Sequence, residues 1–175
     1  LGQDGVAVVV HPQLSVAGLT AANLRDIFSG TATDWSELGW ESQEIVVVSR
    51  EAGADIRQAF ELQVMGQRRI TLSARLATSD QAMLAIVANT PGAVGYMSMA
   101  ATDSRVKTVP VAATVNDPLV MPTPQTIADG RYPLRMPLII VGEEAPVPGD
   151  GYYEFIIWAQ GEGQEVIARS YAPLP

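Results

Sequence analysis

Residues Glu44–Glu61 read EIVVVSREAGADIRQAFE, and the hydrophobic period changes in the middle of the stretch. Ile45, Val46, Val47 and Val48 form an unbroken β-branched run, the pattern of a strand buried on both faces. From Ala54 onward Ile56, Ala59, Phe60 and Val64 recur at helical spacing, which predicts an amphipathic helix. Ser49-Arg50-Glu51-Ala52-Gly53 forms a short polar turn between them. The first N–H groups of a helix lack internal partners and sit at the positive end of its dipole, so such a turn suits an anion. Arg50 adds a planar cation at the end of the strand, where ligands of open α/β sheets bind. A plain connection between strand and helix would use the same residues, so the turn does not decide the function alone.

Composition narrows the classes. With 175 residues the chain makes one domain or two small lobes, and 47% hydrophobic with 17% charged residues predicts a real core. Eleven basic against 19 acidic residues give a net charge of -8, which argues against a nucleic-acid partner because a phosphate backbone requires a basic face. A cleft can still hold a small anion, since local fields oppose the global charge. The chain has no cysteine and a single histidine, His11, which reads as a strand-end residue beside Pro12. Thiolate chemistry, Cys-based zinc sites and a Ser-His triad are thereby disfavoured, and neither an enzyme nor a cofactor is expected. Glu143, Glu144 and Asp150 share one loop without the ligand spacing of a hard-cation site. No apolar run reaches membrane-spanning length, and the start at Leu1 without Met or signal pattern fits a processed or excised chain.

Around the central unit, Gly5–Val10 and Ala93–Met97 read as further buried strands, with Val106–Val111 and Pro137–Val141 as later ones. Thr20 is expected to cap a short helix carrying Leu24, Ile27 and Phe28, closed at Ser29-Gly30. Trp35 reads as a packing anchor and Gly95 as a point of tight packing. Ser79-Asp80 opens a helix with Ala82, Met83, Ile86 and Val87 apolar, ended by Asn89-Thr90-Pro91-Gly92. The prolines between Pro118 and Pro137 leave room for a turn of helix at Thr126–Asp129. Tyr152–Ala168 is expected to be helical, broken at Gly161-Glu162-Gly163, with Phe155, Ile156, Ala159, Val166 and Ile167 facing inward. Alternating strands and helices predict an α/β fold with a mainly parallel sheet.

Five segments in order, GVAVVVHP, LTAANLRDIFSGTATDW, IVVVSREAGADIRQAF, ANTPGAVGYMS, and PTPQTIADGRYPLRMPLIIV followed by FIIWAQGEGQEVIARSYAPL, resemble the periplasmic phosphate-binding proteins of ABC transporters. That resemblance implies a type II solute-binding fold of two α/β lobes with ligand in the cleft between them. It implies one full lobe at about residues 10–108, with 109–175 forming the hinge return and the C-terminal share of the other. It also implies capture of a small anion such as phosphate, an ABC transporter permease as partner, and a periplasmic or extracellular location with any membrane anchor outside this chain.

The ligand-binding set carried by the turn is Ser49, Arg50, Gly53, Ala54, Asp55 and Ile56. The family pattern there is Arg, two variable residues, then Gly-Ser-Gly-Thr. Arg50 and Gly53 fit it, whereas Ala54, Asp55 and Ile56 replace Ser, Gly and Thr. Two hydroxyl donors are lost and a carboxylate is gained. Hydrogen bonds to a charged group are worth about 1.5–3 kcal/mol each, so losing two weakens an anion by about a hundred- to ten-thousand-fold. The expectation is therefore a phosphate-type solute-binding fold with weak phosphate affinity. The alternative is a ligand-free structural, sensory or interaction domain. Self-association is expected if the C-terminal helix lacks cover.

Overall fold

The computed structural model describes residues 1–174. The chain runs β1 (Gly2–Val10), β2 (Leu19–Thr20), α1 (Ala21–Ser29), β3 (Val46–Arg50), α2 (Asp55–Phe60), β4 (Arg75–Ala77), α3 (Asp80–Ala88) and β5 (Ala93–Ser98). It continues β6 (Lys107–Val109), β7 (Val111–Ala112), α4 (Pro124–Ala128), β8 (Arg135–Leu138), α5 (Gly151–Gln160), α6 (Gln164–Ile167) and β9 (Ala172–Pro173).

The strands read at Gly5–Val10, Ile45–Val48 and Ala93–Met97 share one sheet as β1, β3 and β5, in the order β4-β3-β5-β1-β6, with β8 and β9 flanking the first half of β1. The sheet is mixed rather than mainly parallel. β3 runs parallel to β4 and β5, but β1 is antiparallel to β5, β6, β8 and β9. Gly2–Gly5 of β1 pair with β8, and Val6–Val10 pair with β5, so β1 enters the β3–β5 layer against its strands. A continuous apolar run records burial on both faces and carries no information about direction.

Helices cover both faces. On one, α1 and α2 bring Leu24, Ile27, Phe28, Ile56 and Phe60 onto Val8, Val10 and Tyr96. Phe60 stacks on Tyr96 at 4.1 Å and 5°, and Phe28 meets Phe60 edge-on at 4.6 Å and 61°. Each fully buried aromatic contributes about 1.5–3 kcal/mol by leaving water. On the other face α3 packs Met83, Leu84 and Val87 against Val9, Val48 and Met97.

The local signals read from the sequence hold. Thr20 Oγ1 accepts from Asn23 N at 3.1 Å, and Gly30 ends α1 in the left-handed region at φ 76. Ser79 Oγ accepts from Ala82 N at 3.1 Å at the start of α3. Trp35 is buried and donates its indole N–H to the Gly92 carbonyl at 3.1 Å. A Cβ at Gly95 would collide with the Met83 sulfur, so this glycine serves the packing of α3 on β5.

Several readings differ from expectation, among them Val106–Val111, which is split into β6 of the main sheet and β7 of a two-stranded one. The helix that starts at Asp55 is α-helical only to Phe60 and widens into a π turn over Glu61–Met65, within which Val64 and Met65 are both buried. The last long strand, expected at Pro137–Val141, lies at Arg135–Leu138. Leu138 pairs with Gly2 at the very start of β1, so Ile139 and Val141 lie beyond the ladder, 72% and 85% exposed. The C-terminal helix is broken at 161–163 as expected, but its apolar face is only partly covered. Ala159 is buried and Ile156 and Ile167 are half-buried, whereas Phe155 and Val166 are exposed. Gln164 helps to tie the segment down, its amide donating to Leu1 O at 3.0 Å and its carbonyl accepting from Leu174 N at 2.7 Å, beside the pairing of β9 with β1.

Candidate functional site

Arg50 is the last residue of β3, and Gly53 turns the chain at φ 95 into α2. Ala54 is the N-cap of α2 in extended conformation and makes no side-chain cap bond. Its carbonyl accepts the first helical bonds, from Arg57 N at 2.9 Å and Gln58 N at 3.0 Å, so the amides of Asp55 and Ile56 precede the helical ladder. Arg50, Gly53, Ala54, Asp55 and Ile56 border one concavity of about 370 Å³ together with Asp4, Glu51, Asp80, Ser98 and Met136. Five of the six residues expected from the turn thus come together. Ile56 lines it too, although its side chain is buried in the core cluster that also holds Phe60.

Ser49 is the exception. Strand alternation turns it away from Arg50. It is fully buried, with its hydroxyl 2.8 Å from the Tyr96 phenol and donating to the Arg50 carbonyl at 3.2 Å. Arg57 donates to that same carbonyl at 2.9 Å and pairs with Glu61 at 2.9 Å, which stiffens the turn from below.

The residues not foreseen are three acids, Asp4, Glu51 and Asp80, together with Ser98 and Met136. Arg50 is held by Glu51 in a fork, Nε to Oε2 and Nη2 to Oε1 at 3.2 Å each, and by Asp80 Oδ1 at 3.1 Å from Nη1. These bonds hold the Glu51 carboxyl below its ordinary range and push the Arg50 guanidinium further up. Asp4, on β1, is buried and accepts from Ser98 Oγ at 2.5 Å and from Gly5 N at 2.7 Å. Burial nevertheless wins and raises its pKa. A carboxylate at the mouth of an apolar run was itself a signal, because burying a charge is expensive unless it is partnered. One guanidinium therefore stands among four carboxylates, Asp4, Glu51, Asp55 and Asp80.

Other features carry less chemistry. A larger concavity of about 580 Å³ lies along Pro118–Met121, but its cation, Arg131, already pairs with Asp129 at 2.9 Å. His11 accepts from Gln13 N at 3.3 Å through Nδ1, at the far end of β1. Asp150 caps α5 by accepting from Tyr153 N at 2.6 Å. Among the described residues no group of His, Asp and Glu could hold a metal ion, and no helix is long and apolar enough to cross a membrane.

The mixed sheet, crossed by β1 and covered by helices on both faces, thus carries an arginine at a strand end above a helix start, a place where open α/β sheets take ligands. The family model for the PBP superfamily domain matches residues 1–162, and the chain belongs to that family. It is 28% identical over 131 residues to the phosphate-binding protein of Bacillus subtilis, covering 74% of this chain and 41% of that protein. Phosphate-binding protein 2 of Streptococcus pneumoniae is 30% identical over 130 residues, covering 69% and 43%. Among solved structures, a phosphate ABC transporter substrate-binding protein of Clostridium perfringens with bound phosphate superposes with TM-score 0.87 at 29% identity, covering 99% of this chain and 70% of that one. An ABC-type phosphate transport receptor from Vibrio cholerae gives 0.83 at 28% identity, with the same coverage. The resemblance read from the sequence is thus upheld. The chain spans about half the length of the curated relatives it matches.

Proposed function

We propose that this chain is the anion-handling part of an extracytoplasmic solute-binding protein that captures phosphate, or a related small oxyanion, for an ABC transporter permease. Residues of about 10–108, completed by the second half of β1, form one full lobe, and 109–175 the hinge return and a share of the second. Any membrane attachment lies outside this chain. The observation that carries the proposal is the position of Arg50, at the end of β3 and beside the start of α2, in a concavity also bordered by β1 and β8. The names of the solved and curated relatives support phosphate as the ligand. Their roles in binding and transport support a receptor rather than an enzyme.

The local chemistry supports modest affinity. Ala54 and Ile56 supply no hydroxyl, Asp55 supplies the wrong charge, and the dipole of a short helix, worth about 0.3–1 kcal/mol, does not offset that. Calorimetry with inorganic phosphate near neutral pH is the test. Weak binding that disappears in Arg50→Ala is expected. Tight binding, or binding indifferent to Arg50→Ala, would place the site elsewhere.

A further inference from the structure

Arg50 has almost no donor left to offer. Of its five N–H bonds, Nε and one on Nη2 go to Glu51, one on Nη1 goes to Asp80, and the second on Nη2 approaches Thr78 O at 3.5 Å. An oxyanion bound bidentately needs two parallel N–H groups on one edge of the guanidinium. The Nε/Nη2 edge is already filled by two carboxylate oxygens in just that arrangement. Glu51 and an incoming oxyanion are therefore mutually exclusive on this edge.

The two acids that hold Arg50 differ in freedom. Glu51 follows Arg50 directly and precedes the exposed Ala52-Gly53, and its side chain is 42% exposed while that of Arg50 is 13% exposed. It has open solvent to turn into. Asp80 is the first residue of α3, whose cap bond from Ala82 N to Ser79 fixes its backbone, and it reaches Arg50 from the other side. We propose that Glu51 is an internal competitor at the anion site, an affinity-determining residue whose carboxylate must swing off the Nε/Nη2 edge of Arg50 before an oxyanion is taken, while Asp80 keeps the guanidinium aimed. The proposal rests on the anion-binding reading of the same concavity. With Glu51 as occupant, the unliganded arginine never stands bare in a cleft, and weak anions fail to displace it.

The test is titration of the wild-type chain, Glu51→Ala, Glu51→Gln and Arg50→Ala with inorganic phosphate, with thermal melts to verify folding. Removing both the competing carboxylate and its charge should tighten phosphate by about tenfold in Glu51→Ala. Glu51→Gln, which keeps one acceptor oxygen without charge, should fall between. Equal or weaker binding by Glu51→Ala, with wild-type binding still lost in Arg50→Ala, overturns the competitor and leaves the anion site standing. Binding that ignores Arg50→Ala overturns both. A phosphate-bound crystal structure with Glu51 still forked to Arg50 would also overturn the competitor.

Discussion

The hydroxyl of Ser49 and the phenol of Tyr96 lie 2.8 Å apart, beneath the ring stack that Tyr96 makes with Phe60. A residue next to the candidate arginine thus belongs to the core. Tyr96→Phe should cost about 0.5–1.5 kcal/mol, the net worth of one hydrogen bond, read as a shift in the denaturant midpoint. Ser49→Ala should leave phosphate affinity within about twofold, since the hydroxyl faces no ligand. A large affinity loss in Ser49→Ala would return Ser49 to the site.

Ala54 holds the extended N-cap conformation, φ -66 and ψ 132, without the side chain that normally uses it. Ala54→Ser should stabilise the fold by about 1 kcal/mol by capping α2. Together with Asp55→Gly and Ile56→Thr it restores the family pattern and should improve phosphate affinity in calorimetry. Ile56 is buried, so its replacement by threonine should more than cancel the stability gain. No affinity gain in the triple variant would mean that this turn is not what limits binding.

Asp4 has a folded-state pKa raised by burial, so the native state holds its proton more tightly than the unfolded chain does. Its ionisation therefore destabilises the fold above that raised pKa, and the penalty fades as pH falls through it. Glu51 acts in the opposite sense. Its depressed pKa supplies stability that is present above the unfolded value and lost as pH falls through the folded one. Asp4→Asn should accordingly melt higher than wild type at neutral pH, and the gap should close toward the ordinary carboxylate range. A variant less stable at every pH would show that the bonds to Ser98 and Gly5 outweigh burial.

Phe155 and Trp158, with ring centroids 6.0 Å apart, are 47% and 46% exposed on α5, and Ile157 and Val166 are also exposed. Apolar surface of this kind associates in water. We expect sedimentation of the chain by itself to show concentration-dependent self-association, reduced in Phe155→Ser/Trp158→Ser. A clean monomer at all concentrations would count against it.

Much of the fold was readable because local signals agreed. The switch from a β-branched run to helical spacing placed β3 within two residues of its observed bounds and the start of α2 within one, but not the π turn that ends it. Thr20, Ser79 and Trp35 took the roles their residue types suggest. The side of the strand on which Ser49 falls was also available, since Arg50 and Ser49 must face opposite ways. What local pattern does not hold is convergence. Asp80 reaches Arg50 from 30 residues away, and Ser98 reaches Asp4 from 94. Asp80 could be placed beside Arg50 only once the sheet had assembled them. The antiparallel course of β1 was hidden for the same reason.

That course makes the molecule hard to cut. β1 is a single rung of nine residues whose first half is gripped by β8 and β9 and whose second half is gripped by β5 and β6. A fragment ended after β7 would strip both neighbours from Gly2 and Gln3, while one begun after β1 would pull the middle from the β5–β6 layer. Separate halves would each inherit an incomplete sheet with a raw edge, and the strand that completes one is the strand that completes the other.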